Sequence, residues 1–463
     1  MKRKILIAVL LLLSITLITQ GAAAAEPAEK PETTGLELWR AMELAEQNNP
    51  GLKSSNIERE KSEIDIKIAE EMQSPKIDIW GSTTLSDYPY TVVPIREEGV
   101  FPPLDRHITR FGIELNIPIY TGGKLQAEKM SAQKISAAAF EGHEQHRQDL
   151  LYNVVSVYSR SLYFRDLKEV SARRILALEE EERVLKLLLQ EGRIPKLDLL
   201  RLQTHLSQAR HDHIVLDQAE KDSLSLLGTL TGIPDPVKSI VEIPDGSDLA
   251  VLDEIEQTDI LANNHAVKKS ALISEAYFAR SQAVKGETKP QVSFFGRGTG
   301  SFGSDTELYD DWQAGLQVTI KVWDGYISKN RIEKSLLDIE KARFDQDQTQ
   351  NQILNEAREA AGAVRESRSK ILTAGKQQEE AKEAFRIEKL RYETGENTIT
   401  DLLSAESELW AAAASKSKAY YEKIASEANV LRILGKLSPQ RMRFTEKKNF
   451  DDEKISAKDE VVR

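Results

Sequence analysis

The 463-residue chain contains no cysteine, which removes disulfides, thiolate metal sites, cysteine nucleophiles and lipid attachment at a cysteine. Aromatic residues are scarce, at 6%. That suits long helices with narrow apolar seams better than a thick globular core. Basic residues are outnumbered: 63 Lys and Arg against 74 Asp and Glu give a net charge of −11. No basic face offers itself to phosphates, so no nucleic-acid partner is expected. Beyond the N-terminus no stretch approaches the ~20 apolar residues of a spanning helix, so membrane insertion there must use strands. Neither a Gly-rich phosphate loop nor a nucleophile–base constellation is visible, so the chain reads as a non-enzyme without cofactor. His143 and His146, and His211 and His213, are close in sequence, but no further ligands converge on them to make a metal site.

What is present begins with Lys2, Arg3 and Lys4 before an apolar run from Ile5 to Leu13, then small residues from Gly21 to Ala25. This pattern predicts a secretory signal peptide over 1–25.

The remaining chain says everything twice. Asn48-Asn49-Pro50-Gly51-Leu52-Lys53 resembles Asn263-Asn264-His265-Ala266-Val267-Lys268 at an offset of 215, which Pro75 and Pro290 share. Tyr120-Thr121-Gly122 meets Trp323-Asp324-Gly325 at 203, as do Gly192 and Gly395, and Asp198-Leu199-Leu200 and Asp401-Leu402-Leu403. An offset held over so long a stretch marks a tandem duplication. Its first change places a loop 12 residues longer in the first half.

Each half predicts one order of elements. A helix comes first (36–72, 252–285), then two strands, a very long helix, a Gly turn and a last helix (196–230, 399–434). The first repeat is expected over 26–230, with strands at about 76–84 and 108–119, the long helix at 124–190 and a turn at 191–195. A linker over 231–250 follows. The second repeat is expected over 251–437, with strands at about 291–299 and 312–322, the long helix at 326–393 and a turn at 394–398. Residues 438–463 form a polar tail. The long helices carry a heptad seam, Ile353, Ala357, Ala360, Val364, Ser367, Ile371 and Ala374 in the second half. At ~1.5 Å per residue each spans about 100 Å, so two short helices end to end match one long helix.

The strands alternate apolar and polar residues, as in Trp312, Ala314, Leu316, Val318 and Ile320 against Gln313, Gly315, Gln317 and Thr319. Trp80, Tyr120, Trp312 and Trp323 lie near strand ends, where interfacial aromatic belts form. No further strands supply a second sheet for a soluble sandwich. Four strands cannot close a barrel and an open edge cannot face lipid, so several chains must share one. Two chains give eight strands and three give twelve, and periodicity does not choose.

This duplicated plan resembles the TolC family of outer-membrane efflux channels. The resemblance rests on Asn48-Asn49-Pro50-Gly51-Leu52, on Ile117-Pro118-Ile119-Tyr120-Thr121-Gly122-Gly123-Lys124, and on Tyr392-Glu393-Thr394-Gly395 running to Asp401-Leu402-Leu403. It implies an all-α dominated fold with a β-barrel part: a homotrimer with a twelve-stranded barrel in outer-membrane lipid, continued by a twelve-helix tunnel through the periplasm. It also implies a tip that docks a periplasmic adaptor, which couples the channel to an inner-membrane pump. Gly192, Leu199, Leu200, Gly395, Leu402 and Leu403 match the family's docking motif. Asp198, Tyr392 and Asp401 match its aperture. A second constriction aspartate is replaced by Ser404, with Glu406 nearby, and a linking arginine by Asn397. The implied function is passive passage of expelled small molecules, with type I protein secretion as the alternative. A periplasmic adaptor and a coiled-coil surface protein fit less well, because neither explains two hairpins inserted at equal places.

Overall fold

The computed structural model describes residues 35–233, 237–244 and 256–443. The expected signal peptide, most of the tail and parts of the linker lie outside the described residues.

Two helices precede the sheet, α1 (Leu38–Asn48) and α2 (Pro50–Glu71). Strands β1 (Lys76–Thr91) and β2 (Leu104–Tyr120) lead to α3 (Lys124–Gln190) and α4 (Lys196–Thr231). The order then recurs as α5 (Gln257–Asn263), α6 (His265–Gly286), β3 (Gln291–Phe302), β4 (Tyr309–Thr319), α7 (Ile327–Glu393) and α8 (Ile399–Ile433). A 3₁₀ turn at Pro439–Met442 follows.

The first helix of each half is broken, where the sequence predicts it continuous. The cause is an asparagine. Asn49 Oδ1 accepts from Gly51 N (2.9 Å) and Leu52 N (3.1 Å), capping α2. Its amide donates to Leu230 O (3.0 Å), holding the break against the end of α4. Asn264 does the same for α6, accepting from Ala266 N and Val267 N and donating to Ile433 O at 2.9 Å. Pro50 reinforces only the first break, since it lacks an N–H to continue α1.

Long helix α3 is the spine. In its sheet-side half it lies between α2 and α6, with Ser62 Oγ 3.2 Å from Ser136 Oγ and Ser131 Oγ donating to Ala276 O at 3.1 Å. In its other half it lies between α4 and α8, and α7 packs on α6 and then on α8. Buried Ile353, Ala357, Ala360, Val364, Ser367 and Ala374 form the seam that α7 turns to these neighbours. At mid-height α1, α3, α4 and α8 converge on a core of Met42, Leu151, Val154, Tyr158, Leu162, Leu227 and Ile424. Tyr158 Oη donates to Leu36 O (2.8 Å) and Val241 O (2.6 Å), tying the connecting segment into this core.

The strands form one antiparallel sheet in the order β1-β2-β3-β4. Its register sorts the two faces. Ile79, Ile113, Gly298 and Trp312 share one row, and Asp78, Glu114, Arg297 and Gln313 share the next. The apolar face is bare: Ile79 is 84% exposed and Trp312 78%. On the polar face Arg297 pairs with Glu114 at 2.9 Å. β1 and β2 extend to Thr91 and back to Leu104, beyond their expected ends. Trp80 departs from the expected aromatic belt. It sits on the polar face opposite Gly112, where a Cβ would meet its ring at 3.1 Å. The longer first loop folds back on this face too, burying Val92 and Val93 against Ile108 and Tyr309.

Candidate functional site

The turns furthest from the sheet carry most of the expected site residues. Gly192 (φ 73°) and Gly395 (φ 77°) end α3 and α7 in the left-handed region, and a Cβ on either would meet nothing within 4 Å. Their requirement is conformational, because side chains rarely adopt that backbone. After the second turn, Thr398 and Asp401 form a capping box at the start of α8: Thr398 Oγ1 donates to Asp401 Oδ2 (2.6 Å), which also accepts from Thr398 N (3.2 Å). These bonds from Thr398 hold the exposed Asp401 carboxyl below the usual range. Asn397 bonds back to Glu388 within its own hairpin.

The leucine pairs divide. Leu402 and Leu403 are 4% and 3% exposed and lie in a cluster with Leu178, Leu185, Leu202 and Ile399. Leu199 packs at the edge of that cluster, whereas Leu200 is exposed. In a single chain the second pair therefore joins the two hairpins, and only Leu200 of the four is displayed.

Tyr392 also packs on this cluster. Its hydroxyl is buried with no hydrogen-bond partner among the described residues. Burial, then the charges of Asp198 and Glu181, push its pKa up to about 12. Asp198 and Tyr392 are thus close enough to interact electrostatically without a hydrogen bond. Glu406 is no free acid beside Asp401. Arg174 Nε and Nη2 grip it at 2.7 and 2.9 Å, with Asp212 3.6 Å from Arg174 Nη1. The Arg174 side chain is 9% exposed and lies 5.5 Å from the Trp410 ring centroid. Higher on the same seam, Asp166 accepts from Tyr421 Oη (2.9 Å) and Ser417 Oγ (3.2 Å).

Sequence reasoning missed Arg174 and Asp166, which lie off the heptad seam. A signal was available in the duplication: at offset 203 they face Gln377 and Ser369, positions where the halves disagree in charge. His143 Nδ1 pairs with Ser55 Oγ at 2.8 Å, joining α3 to α2, whereas His213 Nδ1 is buried with no hydrogen-bond partner among the described residues.

The second functional feature is a pair of free edges. Among the described residues β1 and β4 each lack a neighbour on one side. Below β1 lie α2 and α4; below β4 lies α7. Ile57, Ile64 and Ile68 are exposed on α2, opposite the face that Ser62 and Ala69 bury, and Leu197, Leu200 and Ile214 are exposed on α4. On α7, Leu337, Phe344, Leu372 and Leu390 are exposed opposite its buried seam. No helix among the described residues is long and apolar enough to cross a membrane.

Known proteins share this architecture. The family model "Outer membrane efflux protein" matches residues 41–232 and 258–436. The outer membrane efflux protein BepC of Brucella suis biovar 1 is 21% identical over 451 residues, covering 95% of this chain and 92% of that protein. The Campylobacter jejuni CmeC outer membrane channel superposes with a TM-score of 0.77 at 18% identity, covering 93% of this chain and 94% of its own. The outer-membrane channel OprN gives 0.76 at 17% identity, over 86% and 90%.

Proposed function

Because the chain belongs to the outer membrane efflux protein family, and is an outer-membrane channel of a tripartite efflux system with helices reaching into the periplasm, we propose that it works as a ring of three copies. The observation that carries this reading is the match between its two free edges. β4 of one copy meets β1 of the next, and α7 of one copy covers the exposed apolar stripes on α2 and α4 of the next. Such head-to-tail contacts close when the rotation per copy permits. Three copies give twelve strands, all with backbone partners, which lipid demands.

In this ring the face bearing Ile79 and Trp312 meets lipid and the row Asp78, Glu114, Arg297 and Gln313 lines water. The described helices of the two repeats supply alternating staves, and residues 237–244 of the linker lie at mid-height beside the α1–α3 core. The turns at Gly192 and Gly395, with Leu200, dock the periplasmic adaptor that brings substrate from the inner-membrane pump. Asp198, Tyr392 and Asp401 line the aperture. Three Asp401 carboxylates around an axis attract cations, and Asp198 takes up the buried Tyr392 hydroxyl when the tip closes. Substrate passes by diffusion down a wet, acidic duct.

Light scattering of the detergent-purified protein tests the assembly: the mass should be that of three chains, and a monomer would sink the reading. Planar-bilayer recordings test the aperture. Asp401→Ala is expected to weaken cation block without loss of the ring, and unchanged single-channel behaviour would remove Asp401 from it. Gly192→Glu or Gly395→Glu should abolish efflux while conductance persists.

A further inference from the structure

We propose that the polar face of the sheet carries a binding site for flat aromatic cations at each junction between copies, built from Trp80 and Asp78 of one copy and Asp311 of the next. The inference rests on the three-copy ring above and names a ligand class for the membrane end of its duct. It starts from the tryptophan that lies on the wrong face for an aromatic belt. The row Trp80, Gly112, Thr299 and Asp311 runs across all four strands on the polar face. Gly112 has no side chain, so the indole lies down on β2: its Cε2 and Cζ2 stand 3.1 Å from where a Cβ would be. The ring is not held by its polar edge, since Nε1 is buried with no hydrogen-bond partner among the described residues. One indole face thus rests on the sheet, and because Trp80 is only half-buried the other is turned to the duct.

The charges on this face sort by strand. On the middle strands they are engaged: Arg297 pairs with Glu114 at 2.9 Å, and Arg110 Nη2 donates to Thr91 O at 3.1 Å, at the root of the long loop. On the outer strands Asp78 and Asp311 have no ion-pair partner among the described residues. Asp78 stands two residues from Trp80 on the same strand face, about 7 Å along it. Lys76 lies at the foot of β1, on the far side of Asp78. The polar face of β4 carries Tyr309, Asp311, Gln313 and Gln317 and no cation. In the ring β4 borders β1 of the next copy, so the open side of each Trp80 meets a strand whose only charge on that face is negative. A single chain holds the indole and one carboxylate, and its neighbour brings the second. An indole face stacks on a flat ring and attracts positive charge through its quadrupole. A flat aromatic cation uses the stacking, the quadrupole and the carboxylates together. A neutral ring uses the stacking alone.

The test titrates proflavine, a flat aromatic cation, into the full-length detergent-purified protein and reads its binding by fluorescence anisotropy. Asp401→Asn in every protein compared removes the tip carboxylates as a competing site. Trp80→Leu should weaken proflavine binding about tenfold, and Trp80→Phe, which keeps an aromatic face, should lose less. Asp78→Asn and Asp311→Asn leave the ring in place and should each weaken binding about threefold, since both carboxylates are in contact with water. Acridine, kept neutral by mildly alkaline buffer, should bind the parent more weakly than proflavine does. Light scattering of each sample separates this inference from the reading beneath it. A monomer would refute the ring, and the junction site with it. Trimers whose proflavine binding is unmoved by Trp80→Leu, or that bind acridine as tightly as proflavine, would leave the ring standing and overturn the inference. Trimers that respond to Asp78→Asn and ignore Asp311→Asn would overturn the placement of the site at the junction.

Discussion

The mid-height core and the sheet use large apolar residues in opposite ways. At mid-height Leu151, Val154, Val155, Tyr158 and Leu162 on α3 are 0% exposed, covered by α1, α4 and α8 of their own chain. In the sheet Ile79, Leu85, Trp312, Leu316 and Val318 are all exposed. Burial is worth roughly 25 cal/mol per Å², so the first region is stabilised by its own chain. The second gains that stabilisation from lipid and, in the proposed ring, from neighbouring copies. A single chain is thus finished in its middle and unfinished at its membrane end, and the two regions should respond differently to damage.

The largest break is a charge on the apolar sheet face. Leu316→Arg costs about 2–4 kcal/mol near the bilayer midplane. The variant is expected to be lost from the outer-membrane fraction, while the helical circular dichroism of the purified protein melts as in the parent. A Leu316→Arg channel that inserts and conducts would show that this face does not meet lipid. The converse break is Leu151→Ala, which empties a packed site and should cost about 2–5 kcal/mol. Here the helical melt itself falls. An unchanged melting temperature would contradict the packing described.

This contrast was partly legible in the sequence. Period-two alternation from Trp312 to Ile320 placed one apolar face per strand, and the register of β3 with β4 follows it. Trp80 was misplaced because strand parity, not aromatic character, decides the face, and Gly112 opposite leaves room for its ring on the polar side. The helix breaks were hidden for a different reason. Asn49 and Asn264 cap the following helices locally, a signal that hydrophobic periodicity does not carry, and their amides also bond Leu230 and Ile433, far along the chain. The same holds at the turns: the Leu402-Leu403 motif was visible, but its burial depends on Leu178, Leu185 and Leu202 arriving from the other hairpin.

The two asparagines sharpen the comparison within the finished region. Loss of an N-cap costs about 1 kcal/mol, and each substitution also strands a carbonyl. Asn264 is buried to 7% exposure, and its helix lacks the proline that prepares α2 at Pro50. Asn264→Ala should therefore lower the melting temperature more than Asn49→Ala. Equal shifts would mean that the proline contributes nothing to the first break.

The smallest effects separate the tip from the seam above it by their response to acid. Asp401 is held below the ordinary carboxylate range by its bonds to Thr398. A depressed folded pKa contributes stability that is present above the unfolded value, about 3.9, and is lost as pH falls through the folded one. Burial instead raises the pKa of Asp166, against the opposing effect of Tyr421 and Ser417. A raised pKa contributes stability that is full below the unfolded value and fades as pH rises through the folded one. Acidification thus loosens the exposed tip and tightens the half-buried seam. Thermal melts from about pH 5 to 3 should show Asp401→Asn losing less stability than the parent, and Asp166→Asn losing more. Asparagine can still accept from Tyr421 and Ser417 at position 166, so the second variant isolates the charge from the hydrogen bonds. Two variants that track the parent across that range would mean that neither carboxyl titrates as its surroundings require.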